Sequence, residues 1–210
     1  MDYYITPEFE VIIGASRLTE LNNHSGTVYG LDSELKISYL NPAWFQFANE
    51  NGNNIFETNA WSLGRNIFDC IPEVLETFYK KLFESTLAEK ESPLISAQSK
   101  YECSSPDNYR CFSMHLYPMG ENGILIVHSL LVEEPHSIQP VEGMIVLNEE
   151  DYIDGAGVVT QCANCRRIKN LKHTERWDWI PKWITEPLTN TSHGICSPCR
   201  HHYYPSNKNN

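Results

Sequence analysis

Residues 162–165 read CANC and residues 196–199 read CSPC, so two Cys-x-x-Cys pairs flank a basic, tryptophan-rich insert. Each pair can fold as a tight turn with both sulfurs on one side, and the second pair completes a tetrahedron of thiolates. Zinc suits a closed four-thiolate site, because it accepts tetrahedral sulfur and has no redox chemistry. The spacing therefore predicts one metal site with four ligands, Cys162, Cys165, Cys196 and Cys199.

Disulfides, redox-active thiols and iron are the alternatives to zinc at these cysteines. Residues Met1–Tyr4 are acidic and polar and lack the basic start and apolar run of a secretory signal. No apolar stretch approaches the ~20 residues of a membrane helix. These features predict a cytoplasmic protein, and disulfides are uncommon in the cytoplasm. Structural zinc is favoured over iron in a rubredoxin-like or iron–sulfur site, and redox thiols come third, but the spacing does not separate zinc from iron.

The formal charge of the chain is unevenly distributed around its net value of −11. From Gly155 onward the chain carries eight Lys/Arg and three Asp/Glu, a balance of +5, whereas residues 1–154 carry −16. The acidic part should repel nucleic acid. A contact with nucleic acid would have to use the basic residues of the cysteine-containing part, Arg166, Arg167, Lys169, Lys172 and Arg200.

Four segments follow from the distribution of apolar, charged and turn-forming residues. Residues 1–25 form an N-terminal leader, in which the apolar spacing of Pro7–Leu21 predicts a short amphipathic helix that buries one side on the domain or on a second copy. A folded domain is predicted over residues 26–134. An acidic linker with Pro and Gly spans 135–157, and the four-cysteine module spans 158–206.

The central segment predicts two strands, several short helices, one longer helix and then three strands. Five antiparallel strands with helices on one face of the sheet indicate an α+β domain. The stretches that carry a family likeness are GTVYGLD (26–32), ISYLNPAWFQFA (37–48), LGRNIFD (63–69) and the closing hairpin 109–132. They resemble the PAS sensor fold over about residues 26–134. The resemblance implies a sensory domain that forms homodimers.

The C-terminal part is similar to a cysteine-rich extension found after sensory domains in bacterial signalling proteins, on the pattern CANCRR…WDWIPKWI…SHGICSPCRHHYYP. The resemblance implies that the four cysteines bind the metal, and it implies no particular activity. His193 is expected to donate a hydrogen bond to a thiolate rather than bind the metal. The tryptophans 177, 179 and 183 are expected to form a core on one short helix or turn. An exposed aromatic and basic surface for nucleic acid or protein is the alternative.

A PAS cavity can hold haem, flavin, a small metabolite or nothing, and the sequence supports no particular ligand. The segment Asn66–Cys70 does not match the reactive-cysteine helix of photochemical flavin-binding PAS domains. His115 and His128 are expected to be ordinary core or surface histidines rather than haem ligands.

Motifs for catalysis are lacking: the sequence has no phosphate-binding glycine loop, no nucleophile elbow and no kinase signature. We therefore predict a non-enzymatic, cytoplasmic bacterial signalling protein. In it a PAS-like sensor is joined to a structural zinc module and acts by binding an unidentified signalling protein, without nucleic acid or membrane. The alternatives are a transcription-associated zinc-module protein that contacts nucleic acid, and a haem or redox sensor.

Overall fold

The computed structural model describes residues 4–51, 61–89, 97–136, 148–186 and 188–205. The chain folds into two compact units. Unit 1 comprises Met1–Lys100 and Phe112–Leu130, and unit 2 comprises Tyr101–Cys111 and Leu131–Asn210. The domain limits taken from the sequence stay predictions, and residues 137–147 of the predicted linker lie outside the described residues. Among the helices of the described residues, none combines the length and the apolar character needed to cross a bilayer.

A six-stranded antiparallel sheet and four α-helices make up the part of the chain described before residue 136, so the α+β prediction is confirmed. The strands are β1 (Tyr4–Ile5), β2 (Val28–Asp32), β3 (Ile37–Leu40), β4 (Ala97–Glu102), β5 (Asn108–Pro118) and β6 (Gly123–Pro135). Their order in the sheet is β1-β3-β2-β6-β5-β4. The helices are α1 (Pro7–Ile13), α2 (Ala15–Asn22), α3 (Pro42–Glu50) and α4 (Glu73–Ala88).

The predicted number of five strands is wrong, because the described sheet has a sixth strand supplied by the leader. In this strand Tyr4 pairs with Leu40 and Ile5 pairs with Tyr39, in antiparallel register. Two residues are too few to show the alternation of apolar and polar side chains that identifies a strand in a sequence. The pairing partner lies more than thirty residues away, so no local signal announces it.

The leader contains two helices where the sequence predicts one. Gly14 has φ 74° and ψ 151°, which interrupts the helical hydrogen bonds between α1 and α2. The apolar residues of both helices are buried against the sheet in one cluster, Phe9, Ile13, Leu18, Val28, Tyr39 and Leu125. A Cβ atom at Gly30 would come within 2.3 Å of the Phe9 ring, so the glycine on β2 makes room for that ring. The leader therefore buries its apolar side on the sheet of its own chain.

Two polar side chains, Asp32 and Asn41, organise the turn between β2 and β3 and the start of α3. The Asp32 carboxylate accepts hydrogen bonds from the backbone N–H groups of Glu34 and Lys36, both at 2.9 Å. The Asn41 side chain is buried, and its Oδ1 accepts from the N–H groups of Trp44 and Val28, also at 2.9 Å. One amide thus caps α3 and ties its start to β2.

His128 is a titratable side chain of unit 1 whose pKa is shifted by burial. Its ring stacks on Tyr29 with 5.4 Å between the ring centroids. Burial lowers the pKa of His128 to about 4, and the nearby His115 acts in the same direction. An unfolded chain binds a proton at this position near pH 6.5. The contribution of the neutral His128 side chain to the free energy of unfolding is therefore fully present above about pH 6.5. This contribution is lost as the pH drops toward 4.

We expect the His128→Phe variant, which keeps an aromatic ring on Tyr29, to lose this pH dependence. Relative to the variant, the wild type should lose about 2 kcal/mol of its free energy of unfolding between pH 7 and pH 4.5. One pKa unit corresponds to about 1.4 kcal/mol, and the value is reduced because the half-buried ring remains partly hydrated. Urea unfolding followed by tryptophan fluorescence measures it. The exposed His201→Gln variant should follow the wild type. Parallel curves for wild type and His128→Phe would contradict the prediction.

Unit 2 contains a second, smaller sheet of four described strands in the order β10-β7-β8-β9. These strands are β7 (Val159–Cys162), β8 (Ile168–Lys169), β9 (Trp177–Asp178) and β10 (Thr191–Gly194). Unit 2 also contains two short α-helices, α5 (Pro181–Thr185) and α6 (Ser197–Tyr203). The strands β7 and β8 are antiparallel, whereas β10 runs parallel to β7.

A small apolar core fills unit 2, and its described members are Tyr152, Val159, Ile168, Ile180 and Trp183. Tyr152 belongs to the segment that the sequence assigns to the linker, and its hydroxyl donates to Asp178 Oδ2 at 2.8 Å. This described cluster has five buried residues. Small modules of this kind usually depend on a metal or on disulfides.

Candidate metal centre

Four buried cysteine sulfurs lie together in unit 2, and they belong to the four residues that the sequence predicts as metal ligands. One Sγ atom each from Cys162, Cys165, Cys196 and Cys199 lies within 4.8 Å of the other three. The Sγ atoms of Cys165 and Cys196 are 3.7 Å apart. A tetrahedron with metal–sulfur bonds of about 2.3 Å has edges of about 3.8 Å, whereas a disulfide brings two sulfurs to about 2.05 Å. The cysteines are free thiols placed at the spacing of metal ligands.

The first Cys-x-x-Cys pair forms a turn at the end of β7. Cys162 is the last residue of that strand, and its backbone oxygen accepts from the N–H of Arg166 at 3.0 Å. Its own N–H donates to the oxygen of Arg167 at 2.8 Å. Arg166 has φ 63°, the left-handed conformation that lets the chain leave the turn after Cys165. Both sulfurs of the pair therefore point to the same side.

The second pair reaches the first because β10 runs parallel to β7. Gly194 at the end of β10 pairs with Cys162, and its oxygen accepts from the N–H of Ala163 at 2.9 Å. Cys196 then caps the N-terminus of α6, and Cys199 lies in the first turn of that helix. Backbone hydrogen bonds between β7 and β10 thus bring the two pairs next to each other.

Several hydrogen-bond donors point at the sulfurs. The side chain of Asn164 donates to Cys199 Sγ at 3.1 Å, and the backbone N–H of Cys196 lies 3.4 Å from Cys162 Sγ. Hydrogen bonds from the neighbouring thiols of Cys165 and Cys196 hold the pKa of the Cys162 thiol well below its usual range. Donors of this kind stabilise thiolates and offset the negative charge of a four-thiolate site.

The role expected of His193 does not appear in the structure. His193 is exposed on β10, and the cluster found among the described residues contains the four cysteines only. In the pairing of β10 with β7, His193 lies opposite Gln161, the residue before Cys162. The hydrogen bond to a thiolate that the sequence assigns to His193 comes instead from Asn164.

Sequence reasoning overlooks Asn164 although it lies inside the CANC motif. An asparagine between two cysteines is chemically ordinary, and its partner Cys199 lies on a helix 35 residues away in the sequence. The one available signal is that its amide can donate to a sulfur while its oxygen accepts a second bond. Tyr203 supplies that second bond, since its hydroxyl donates to Asn164 Oδ1 at 2.7 Å.

The sequence predicts that the tryptophans 177, 179 and 183 share one helix or turn, and this prediction is wrong. Trp177 lies in β9, and Pro181 starts α5, which carries the buried Trp183. A proline fits only the first turn of a helix, so the residues before it are extended. Trp183 belongs to the core, whereas Trp177 and Trp179 are half-buried.

Arg166, Arg167 and Lys172 are engaged by acceptors within unit 2. Arg167 Nη1 lies 3.3 Å from both carboxylate oxygens of Glu102, and Arg166 Nη1 donates to the backbone oxygen of Ser104 at 3.3 Å. Lys172 Nζ lies 2.5 Å from the Asp151 carboxylate. These three residues belong to the basic set that a contact with nucleic acid would require, so the surface offers less free positive charge than the composition suggests.

Comparison with known proteins adds little to this description. The chain matches no protein-family model and no curated protein sequence. Among solved structures it is similar to the PAS domain of an HTR-like protein from Haloarcula marismortui, with 19% sequence identity. The match covers 59% of this chain and 97% of that domain, with a TM-score of 0.33. A similarity of this size carries no argument about function, which has to come from the cysteine cluster.

Proposed function

We propose that unit 2 is a structural zinc module and that the chain is a non-enzymatic signalling protein acting through contacts with another protein. The observation that carries the proposal is the group of four buried sulfurs within 4.8 Å of one another. Four protein ligands leave no open position for water or substrate, as in structural rather than catalytic zinc sites. Unit 1 would then be the PAS-like sensor, and the homodimer implied by that resemblance is part of the proposal.

Zinc is preferred to iron because of the chemistry of the ligands and the size of the core. All four ligands are thiolates, and the small core of unit 2 favours an ion whose single role is to hold the chain together. A rubredoxin-like iron accepts the same four ligands, but it would add redox chemistry. The absorption spectrum distinguishes these ions, since zinc gives no visible bands, iron gives thiolate charge-transfer bands and a haem sensor gives a Soret band.

A protein partner is preferred to nucleic acid on electrostatic grounds. The chain carries a net charge of −11. Glu102 and Asp151 pair with Arg167 and Lys172, and Arg176 pairs with Asp178. A nucleic-acid surface needs unpaired cations that can replace the counterions of several phosphates. These ion pairs support the proposal of a binding module for protein.

We expect labelled duplex DNA and single-stranded RNA to show no sub-micromolar binding to the full chain at physiological salt. Fluorescence anisotropy at 50 and 200 mM salt measures it, since an affinity supported by several phosphate contacts falls with a logarithmic slope of about −0.9 per phosphate. A sub-micromolar complex with a steep salt dependence would contradict the prediction and favour the nucleic-acid alternative. The matched variant is Lys169→Ala with Arg200→Ala, which should then abolish that complex.

A further inference from the structure

The four cysteines differ in how open they are to solvent. Cys162 and Cys165 are fully buried, whereas Cys199 exposes 8% of its surface. An open pocket of about 590 Å³ lies beside the second pair and is lined in part by Cys196, Pro198, Cys199 and His202. A solvent molecule or a chelating agent therefore approaches the metal site from the side of Cys199.

Two side chains hold Cys199 in place, Asn164, which also lines this pocket, and Tyr203. The Asn164 side chain, which belongs to the first Cys-x-x-Cys turn, donates to Cys199 Sγ at 3.1 Å. The hydroxyl of Tyr203 donates to Asn164 Oδ1 at 2.7 Å. Tyr203 exposes only 4% of its surface and lies one helical turn after Cys199 on α6. These two hydrogen bonds join the first Cys-x-x-Cys turn to α6 without the metal.

The orientation of the Asn164 amide follows from its two neighbours. A thiolate can only accept a hydrogen bond, so it requires the NH2 end of the amide. The Tyr203 hydroxyl donates to the oxygen end and thereby fixes the opposite end toward the sulfur. The tyrosine thus acts on Cys199 through the asparagine.

We propose that Asn164 and Tyr203 are positioning residues for Cys199, and that their hydrogen bonds determine how tightly and for how long the site retains its metal. The inference rests on the proposed function of unit 2 as a metal module. The N–H group from Asn164 withdraws electron density from the sulfur and restricts its rotation. Hydrogen-bond partners of metal ligands typically change metal affinity by about 10–100-fold when they are removed.

The test uses the full-length chain with three variants and one control. Asn164→Ala removes the donor, and Asn164→Asp keeps the size of the side chain and the acceptor for Tyr203 but replaces the NH2 group by oxygen. Tyr203→Phe removes one hydroxyl and keeps the ring. The control is Tyr152→Phe, which removes a buried hydroxyl of the same unit that donates to Asp178 rather than to the amide beside the sulfur.

Zinc affinity and the rate of zinc transfer to a colorimetric chelator are the first readouts. We expect both Asn164 variants to bind zinc about 10–100-fold more weakly and to lose it faster. Tyr203→Phe should show a smaller loss in the same direction, and Tyr152→Phe should equal the wild type. If an Asn164 variant fails to fold, zinc affinity and transfer rate are compared between the wild type and Tyr203→Phe, which is the smaller change.

The sulfur-to-metal charge-transfer band of the cobalt(II)-loaded protein is the second readout. Loss of the N–H donor raises the energy of the sulfur lone pair, so the band should move to longer wavelength in both Asn164 variants and stay in place in Tyr152→Phe. Unchanged affinity, transfer rate and band position in a metal-loaded Asn164→Asp variant would overturn this inference alone. A wild-type chain that binds neither zinc nor cobalt would overturn the proposed function together with it.

Discussion

Removal of the metal from the full chain by a strong chelator is expected to unfold residues 159–205 and to leave unit 1 folded. Binding of structural zinc contributes about 10–16 kcal/mol in small zinc-binding peptides at neutral pH, more than the net stability of most domains. The five buried residues of the described cluster in unit 2 are too few to replace such a contribution. The Cys165→Ala variant should behave in the same way, because three thiolates hold the ion far less tightly than four.

Hydrogen exchange read by mass spectrometry resolves this expectation along the chain. Peptides from residues 159–205 should lose their protection when the metal is removed, whereas peptides from α4 and β2 should keep theirs. Cys70→Ala is the matched control, because Cys70 is a half-buried cysteine outside the cluster. Unchanged protection of residues 159–205 in protein shown to be metal-free would contradict the structural role.

The Phe9→Ala variant is expected to lower the free energy of unfolding by about 3–5 kcal/mol, the usual cost of removing a fully buried phenylalanine. Phe9 is 1% exposed and its ring occupies the space left by Gly30 on β2. An alanine side chain is too short to reach that space, so a cavity remains after the substitution. Urea denaturation of the full chain, followed by circular dichroism, measures the loss.

The neighbouring Val11→Ala variant provides the control for this prediction. Val11 lies on the same helix and is 83% exposed, so its truncation should change the free energy of unfolding by less than about 0.5 kcal/mol. Equal effects of the two substitutions would show that the leader does not bury its apolar side on the sheet. In that case a second copy of the chain would be the better candidate for covering Phe9.

The sequence could predict those parts of the fold that depend on neighbouring residues. The turn at Asp32 and the capping of α3 by Asn41 follow from side-chain oxygens that reach backbone N–H groups two to four residues away. The apolar residues at helical spacing in α4 and the alternating residues of β5 are also patterns among near neighbours in the sequence. These signals are sufficient for the α+β class.

The parts that the sequence could not predict depend on distant partners. Strand β1 forms because Tyr4 and Ile5 pair with β3. The helix break at Gly14 lets Phe9 and Leu18 both pack in the same cluster against the sheet. A two-residue strand has no pattern of its own. Similarly, Glu102 pairs with Arg167, a partner that lies 65 residues away in the sequence.

The four-cysteine cluster shows the same division between chemistry and geometry. Two Cys-x-x-Cys pairs identify the four sulfurs because cysteine is the residue that such a site requires. The residues that orient the sulfurs have no such restriction, since asparagine, histidine, serine and backbone groups can all donate. His193 is therefore the natural donor on sequence grounds, whereas the parallel pairing of β10 with β7 and the turn of α6 bring Asn164 to Cys199.

Metal content measured on the gently purified full chain tests the central claim most directly. Elemental analysis combined with native mass spectrometry should find one zinc ion per chain, held by Cys162, Cys165, Cys196 and Cys199 and lost in the Cys165→Ala variant. The protein should show no visible absorption bands. Less than about half an equivalent of zinc, with iron or no metal in its place, would contradict the assignment of unit 2 as a structural zinc module.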